Sequence, residues 1–117
     1  MIRGIGIDLV EVDRLRGVLE RHPRLLHRMF TQQEQIDAGS GPERFLRLAA
    51  RMAAKEAYLK ALGQGFRGGR WVDMEVYRLP SGQPCLRGQG VFTHEGPVHL
   101  SLSHSGNVAI ASVVLER

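Results

Sequence analysis

Residues 42–63 read PERFLRLAARMAAKEAYLKALG, and this stretch decides the fold. The residues just before it, Ser40-Gly41-Pro42-Glu43, have the spacing of a helix capping box. Small and apolar side chains then recur every three or four positions, at Leu46, Ala50, Ala53, Ala57 and Ala61. Such a stripe predicts a long helix over residues 42–62, ended by Gly63, which can approach a sheet closely.

The N-terminal segment predicts a half-buried strand. Residues 2–10 alternate, with Ile5, Ile7 and Leu9 on one face and Gly4, Gly6 and Asp8 on the other. The two glycines leave space around the carboxylate of Asp8.

Between this strand and the long helix the sequence predicts three short helical segments. Asp13 is a candidate N-cap for the first, which runs to about residue 22 and is interrupted by Pro23. A second helical segment follows to residue 30. Thr31 and Glu34 have capping-box spacing, so a third helix begins there and can end at Gly39.

After the long helix the pattern changes to short strands. Residues 73–79 and 85–87 predict a hairpin that turns at residues 80–82. Residues 98–103 alternate, and residues 108–115 are almost wholly apolar or small, as expected of a central strand. Residues 1–117 are therefore predicted to form a single α+β domain, in which helices, including one long central helix, pack on an antiparallel-rich sheet.

Charge and composition limit the function classes. The net charge is +4, and most of the arginines lie in the first half beside few acids, so an acidic partner is expected. The single cysteine, Cys85, excludes an internal disulfide, and no apolar stretch is long enough to cross a bilayer. These features predict a cytoplasmic protein with no membrane partner.

Three charged side chains are candidates for a metal and phosphate site. Glu56 and Lys60 are four residues apart on the predicted helix, which suits either an ordinary surface ion pair or a shared ligand. Asp8 lies among glycines, where it is either a partly desolvated carboxylate that needs a cation or an exposed residue at a strand end. Because magnesium prefers a few carboxylates completed by water and substrate oxygens, Asp8 and Glu56 are candidate ligands.

Ser103 and His104 end a predicted strand. A histidine and a hydroxyl at the rim of a sheet can hold a phosphate, although a turn with a solvated histidine has the same pattern. A hydrolase pair is disfavoured because neighbouring residues of an extended strand point to opposite faces.

Two blocks of sequence together resemble the phosphopantetheinyl transferase superfamily, in its small bacterial branch of holo-[acyl-carrier-protein] synthases. They are residues 4–12, GIGIDLVEV, and residues 51–65, RMAAKEAYLKALGQG. Residues 71–76 and 100–105 are also similar to blocks of that family, in the same order and spacing. The resemblance spans nearly the whole chain and departs from the family at Ala50 and Met52, where glycine and phenylalanine are common.

The resemblance implies the phosphopantetheinyl transferase fold and an enzyme that moves the phosphopantetheine arm of coenzyme A to a serine of apo acyl carrier protein, in fatty acid biosynthesis. It implies that Asp8 and Glu56 hold Mg²⁺ against the coenzyme A pyrophosphate. Glu56, directly or through a metal-bound water, is the candidate acceptor of the serine proton. The implied contacts to coenzyme A come from Arg51, Lys55, Lys60, Ser103 and His104, with Lys60 also counted as catalytic.

The resemblance further implies a homotrimer with active sites between subunits. The acidic carrier protein is expected to dock on the arginine-rich first helices by charge complementarity. The arginines expected to receive it are Arg14, Arg21, Arg24 and Arg28.

Two other functions stay open on the residues alone. A small basic RNA-binding module would explain the arginines, but such modules expose aromatics for stacking, and this window holds just Phe30 and Phe45 at helix-packing positions. A non-catalytic coenzyme A binder would keep Arg51 and Lys60 but has no need of a carboxylate pair. No nucleic-acid partner is therefore expected.

Overall fold

The computed structural model describes all 117 residues, which form five strands, four α-helices and two 3₁₀ turns. The strands are β1 (Ile2–Glu11), β2 (Met74–Arg78), β3 (Pro84–Gly88), β4 (Val98–Ser105) and β5 (Val108–Glu116). The helices are α1 (Val12–Arg21), α2 (Leu25–Met29), α3 (Gln32–Ala38) and α4 (Arg44–Leu62), and the 3₁₀ turns are Trp71–Asp73 and Gly90–Phe92. None of the helices is both long and apolar enough to span a bilayer.

The strands form two antiparallel sheets. The larger has the order β1-β5-β4, with β5 in the centre as its apolar sequence predicts. The smaller is the predicted hairpin of β2 and β3. The α+β class and the antiparallel sheet are thus confirmed.

Helix α4 lies on one face of the larger sheet because both surfaces are nearly free of side chains where they meet. A Cβ added to Gly4 would overlap the backbone carbonyl of Ala61, and one added to Gly6 would overlap that of Ala57. Ala53, Ala57 and Ala61 are fully or almost fully buried there. The glycines of β1 therefore admit the helix itself, in addition to leaving room beside Asp8.

The opposite face of this sheet, the outer sheet face, is apolar and uncovered. It consists of Ile5, Ile7 and Leu9 of β1, which are 63%, 61% and 58% exposed, and of Ile110 and Val114 of β5, which pair with Leu9 and Ile5. Exposed apolar patches of this kind mark surfaces that associate with a partner.

The short helices pack on the N-terminal half of α4 through a second apolar cluster that includes Leu15, Leu19 and Phe30. The capping box of Thr31 and Glu34 forms as predicted, and Gly39 ends α3 with φ +67°. Two predicted caps are wrong. Asp13 lies within the first turn of α1, and its N–H donates instead to Oδ1 of Asn107, a residue 94 positions away. Helix α4 begins at Arg44 with no side-chain cap.

Candidate active site

Asp8 of β1 and Glu56 of α4 bring their carboxyl groups together where the helix crosses the strand. Burial, a hydrogen bond to Asp8 and the negative charge of Asp8 raise the pKa of Glu56 to about 8. Burial also acts to raise the pKa of Asp8, but hydrogen bonds to Glu56 and Lys60 hold it below its usual value. A single proton shared by two close carboxyls is the expected state in the absence of a cation.

This pair fits a hard divalent cation. With both carboxyls ionised, Oδ2 of Asp8 is buried and has no hydrogen-bond partner, so a proton on Glu56 or a cation must satisfy it. No cluster of three or more His, Cys, Asp or Glu occurs in the chain. Two carboxylates with the remaining positions left to water and substrate oxygens suit Mg²⁺ better than Zn²⁺.

Lys60 is part of the same site. Its ammonium Nζ lies 2.9 Å from Oδ1 of Asp8 and 2.9 Å from the carbonyl oxygen of Ile7. Of the alternatives open from spacing, the structure thus pairs Lys60 with Asp8, whereas no ion pair joins it to Glu56. The side chain is half-exposed, so its charge can also turn toward an anion bound beside Asp8.

A basic pocket of about 320 Å³ lies elsewhere, between α4, the β2–β3 hairpin and the end of β4. Arg51 is 1% exposed; one of its N–H groups donates to the carbonyl of Arg47, while its Nε has no partner. Ser103 and His104 line the same pocket. Three of the predicted coenzyme A contacts therefore come together.

The pocket also contains two arginines that the sequence did not single out, Arg47 and Arg78. Burial and the neighbouring charge of Arg78 lower the pKa of Arg51. Like charges gathered around a buried guanidinium are unfavourable until an anion enters, so the pocket fits a phosphate. Arg47 had a local signal, because it precedes Arg51 by one helical turn. Arg78 had none, since the hairpin brings it in from a distant part of the chain.

Lys55 lies outside both sites. Its side chain is fully buried, and Nζ donates to Oε1 of Glu34 at 2.7 Å, to the Met29 carbonyl at 2.7 Å and to the Trp71 carbonyl at 3.1 Å. Burial lowers the pKa of Lys55, and the charge of Glu34 opposes that shift. The three acceptors use all three N–H bonds of the protonated side chain. Contrary to the prediction, Lys55 has no donor left for a phosphate.

All four predicted docking arginines are exposed and none forms an ion pair. Arg21, Arg24 and Arg28 line a depression of about 550 Å³ where α1 turns into α2. Arg14 lines a second, largely apolar depression of about 340 Å³, together with Glu56. Of the four arginines, Arg14 alone therefore lines the depression that contains Glu56.

The carboxylate pair and the basic pocket are separate within one chain. Arg51 and Glu56 are five residues apart on α4, about 140° around the helix axis. Asp8 and His104 are on the two edge strands, which lie about 10 Å apart across β5. The depression that contains Glu56 shares no residue with the basic pocket.

Comparison with known proteins identifies the family to which this sequence and fold are similar. A profile described as the 4'-phosphopantetheinyl transferase superfamily matches residues 4–114. A holo-[acyl-carrier-protein] synthase of Exiguobacterium sibiricum is 43% identical over 120 residues, which cover 100% of this chain and 91% of that protein. One from Beutenbergia cavernae is 46% identical over 123 residues and the full length of both. The crystal structure of a holo-(acyl-carrier-protein) synthase from Bacillus anthracis in complex with CoA (3',5'-ADP) superposes with a TM-score of 0.85 and 39% identity, covering 98% of this chain and 96% of the other.

Proposed function

The chain belongs to the 4'-phosphopantetheinyl transferase superfamily, and from that premise we propose that it transfers 4'-phosphopantetheine from coenzyme A to a serine of apo acyl carrier protein. The full-length similarity to proteins named holo-[acyl-carrier-protein] synthase carries this proposal. The structure of the Bacillus anthracis relative with CoA supports coenzyme A as the substrate. The resemblance read from residues 4–12 and 51–65 is confirmed. Residues 1–117 act as one transferase domain, in the cytoplasm, and supply holo carrier protein to fatty acid biosynthesis.

The reaction exchanges one phosphorus–oxygen bond for another. The serine oxygen of the carrier attacks the phosphorus that bears pantetheine, and the bond from this phosphorus to the departing adenosine 3',5'-bisphosphate breaks. Glu56 accepts the serine proton, and Lys60 offers a positive charge to the phosphate oxygens as charge moves to the leaving group. Most of the rate enhancement in such transfers comes from positioning and charge stabilisation.

Asp8 and Glu56 would hold the magnesium ion. The unpartnered Oδ2 of Asp8 and the raised pKa of Glu56 support this assignment, because both are relieved when a cation replaces the shared proton. When bound, Mg²⁺ supplies positive charge against the pyrophosphate of coenzyme A.

The basic pocket would bind the remaining phosphate of coenzyme A. Arg51 supplies a buried guanidinium with a free Nε, and His104, Ser103 and Arg78 surround the space beside it. Several donors around a doubly charged phosphate give charge-assisted hydrogen bonds that no uncharged ligand would reproduce.

The active site would be completed between subunits. One chain presents the carboxylate pair and the basic pocket on opposite edge strands of the sheet, so a neighbouring copy can bring the missing half to each. The outer sheet face, with Ile5, Ile7 and Leu9 exposed, supplies an apolar surface for that copy to cover. We propose that the assembly is a homotrimer, as the family resemblance implies; a closed ring of this kind repeats one heterologous contact without leaving an open end.

The carrier protein would dock on α1 and α2. The exposed and unpaired Arg14, Arg21, Arg24 and Arg28 support this surface, and Arg14 also lines the depression that contains Glu56. An acidic carrier is attracted there by the field of the arginines, which accelerates encounter and weakens with salt.

The two alternative functions have less support. Phe30 is 1% exposed and Phe45 packs in the apolar cluster of the short helices, so neither offers a base-stacking platform for RNA. A passive coenzyme A binder would gain nothing from two mutually repelling carboxylates.

One assay tests the proposal. Apo carrier protein is incubated with this chain, coenzyme A and Mg²⁺, and the carrier is weighed by mass spectrometry. We expect the carrier to gain the mass of phosphopantetheine and adenosine 3',5'-bisphosphate to appear in equal amount. An unchanged carrier mass with several apo carriers, while the same carriers are modified by a known transferase, would reject the function.

A further inference from the structure

The ion pair between Lys55 and Glu34 is the one salt bridge of the chain whose two side chains are both fully buried. Both side chains are 0% exposed, and Nζ lies 2.7 Å from Oε1. Every polar group of the pair has a partner: Glu34 also accepts the N–H of Thr31 at 2.8 Å and that of Val76 at 2.9 Å. The pair therefore links α4 to the start of α3 and to β2.

This pair is not explained by stability. Replacing a buried ion pair by apolar residues of similar volume is often neutral or stabilising, because two charges lose their hydration on burial. What a buried ammonium provides, and a methyl group does not, is direction: its three N–H bonds fix where three oxygen acceptors lie. In Lys55 two of those acceptors are the backbone carbonyls of Met29 and Trp71.

The two residues that carry these carbonyls belong to the wall of the candidate active site. Met29 and Trp71 both line the apolar depression of about 340 Å³ that also contains Glu56. Lys55 directly precedes Glu56 on α4, so the ammonium holds the turn of helix that carries Glu56 and the facing wall in one arrangement. The carboxylate itself hydrogen-bonds to Asp8 of β1.

We propose that Lys55 and Glu34 are positioning residues, which fix the Glu56-bearing turn of α4 against the Met29 and Trp71 wall and do not contact coenzyme A. The inference rests on the proposed transferase function and assigns a role to a pair that this function leaves unused. Its consequence is specific: loss of the pair should impair the geometry of the carboxylate site and leave the basic pocket intact. Misplacement of a catalytic group by an ångström is enough to slow a reaction strongly.

The test variant is Lys55→Met with Glu34→Gln, which removes both charges at nearly constant volume and avoids leaving one charge buried alone. The control is Leu115→Ala, a fully buried core position at the far end of β5, which also lowers stability. Both are assayed well below their melting temperatures. For the double variant we expect kcat to fall by about ten- to a hundredfold, with a higher Mg²⁺ concentration for half-maximal rate and a KM for coenzyme A within about threefold of wild type. Leu115→Ala should keep the wild-type kcat and Mg²⁺ dependence.

A second readout needs no activity. Trp71 is the only tryptophan of the chain, so its fluorescence reports on the wall directly. Acrylamide should quench the folded double variant more strongly than wild type, and Leu115→Ala no more than wild type. Unchanged quenching together with unchanged kcat would overturn the positioning role, and a raised KM for coenzyme A at constant kcat would show instead that Lys55 touches the substrate. If wild type modified no carrier, the proposed function would fail, and the quenching comparison would still decide whether the pair holds the wall.

Discussion

The ammonium of Lys60 lies 2.9 Å from Oδ1 of Asp8, so a positive charge of α4 meets a carboxylate of β1 where helix and strand cross. The other oxygen of Asp8, Oδ2, is buried and, with both carboxyls ionised, has no hydrogen-bond partner. Asp8 therefore contacts the ammonium of Lys60 through Oδ1 and leaves Oδ2 for a proton on Glu56 or for a divalent cation.

The carboxylate pair should be required for activity and dispensable for folding. Asp8→Asn and Glu56→Gln are each expected to remove most of the transferase activity, because either change takes away one charged ligand of the divalent ion. Chelation should have the same effect on wild type, and added Mg²⁺ should reverse it. Circular dichroism and melting temperature verify the fold, and Glu95→Gln, an exposed carboxylate without partners, is the control. A near-normal rate for either variant would contradict the metal assignment.

The basic pocket gives a prediction on substrate affinity. Arg78→Ala should raise the KM for coenzyme A by about tenfold or more, since a charge-assisted hydrogen bond contributes about 1.5–3 kcal/mol, with a small effect on kcat. The matched control is Arg87→Ala on the neighbouring strand, where the guanidinium pairs with Glu75 and lies outside the pocket. Equal KM values for wild type and Arg78→Ala in steady-state kinetics would remove Arg78 from the site.

The contrast between Arg51 and Arg78 shows what the sequence can and cannot predict. Arg51, Glu56 and Lys60 lie on one helix, whose small-residue stripe specifies its length and its buried face, so their relative positions follow from helical geometry. The position of Arg78 depends on how the hairpin packs against α4, and no local pattern encodes that packing.

Lys55 was misassigned for a related reason. Its place in the motif suggested a phosphate ligand. In the fold, however, its ammonium donates to the carbonyls of Met29 and Trp71, which are distant in sequence. The cap at α1 is a similar case: the local candidate, Asp13, was displaced by Asn107 from the β4–β5 turn. Periodicity thus predicted the elements well, while contacts between distant segments decided the polar details.

The docking surface should respond to charge. Arg14→Glu and Arg21→Glu should each raise the KM for the carrier protein by about tenfold and leave the KM for coenzyme A unchanged, because the reversed charge repels an acidic partner during encounter. Arg117→Glu changes the net charge equally at the exposed C-terminus and is the control. Rising salt should narrow the difference in the KM for the carrier protein between these variants and wild type. Parallel effects on both substrates would reject docking at α1.

Glu75 gives a prediction on stability against pH. Burial acts to raise its pKa, but hydrogen bonds from Thr31 and Arg87 hold the pKa of Glu75 below its usual value. Its ionised form therefore stabilises the fold above the unfolded pKa of about 4.3, and this contribution is lost as the pH falls through the lower folded value. Glu75→Gln should lower the free energy of unfolding at pH 7 by less than about 1 kcal/mol, since the pair with Arg87 is partly solvated.

Urea unfolding at one protein concentration, at pH 7, 5 and 3, measures this difference. It should shrink as the pH falls through the lowered folded pKa of Glu75, and it should be absent at every pH for Glu95→Gln. If the difference in the free energy of unfolding between wild type and Glu75→Gln stayed constant across the pH range, the shape of the Glu75 side chain rather than its charge would be what stabilises the fold.

Active sites shared between subunits predict complementation between two impaired variants when coenzyme A is kept well below its KM. Asp8→Asn keeps an intact basic pocket, and His104→Ala, at an exposed position, keeps an intact carboxylate pair. If each site combines the carboxylate pair of one chain with the basic pocket of the next, about a third of the sites in every mixed trimer combine two intact halves. The two variants, co-expressed with different tags and purified through both, should then show roughly that fraction of the wild-type rate.

The controls for this experiment separate assembly from chemistry. At this coenzyme A concentration each variant assembled alone should have a small fraction of the wild-type rate, and so should a mixture combined after separate purification if subunits do not exchange. Adding Ile7→Glu to both chains places a charge on the outer sheet face, where Ile7 is 61% exposed, and should abolish both the mixed assembly and the recovered rate. If both halves of the site lay in one subunit, each chain would keep its own defect. A doubly purified mixture with no more activity than its parents would therefore place both halves of the site in the same chain.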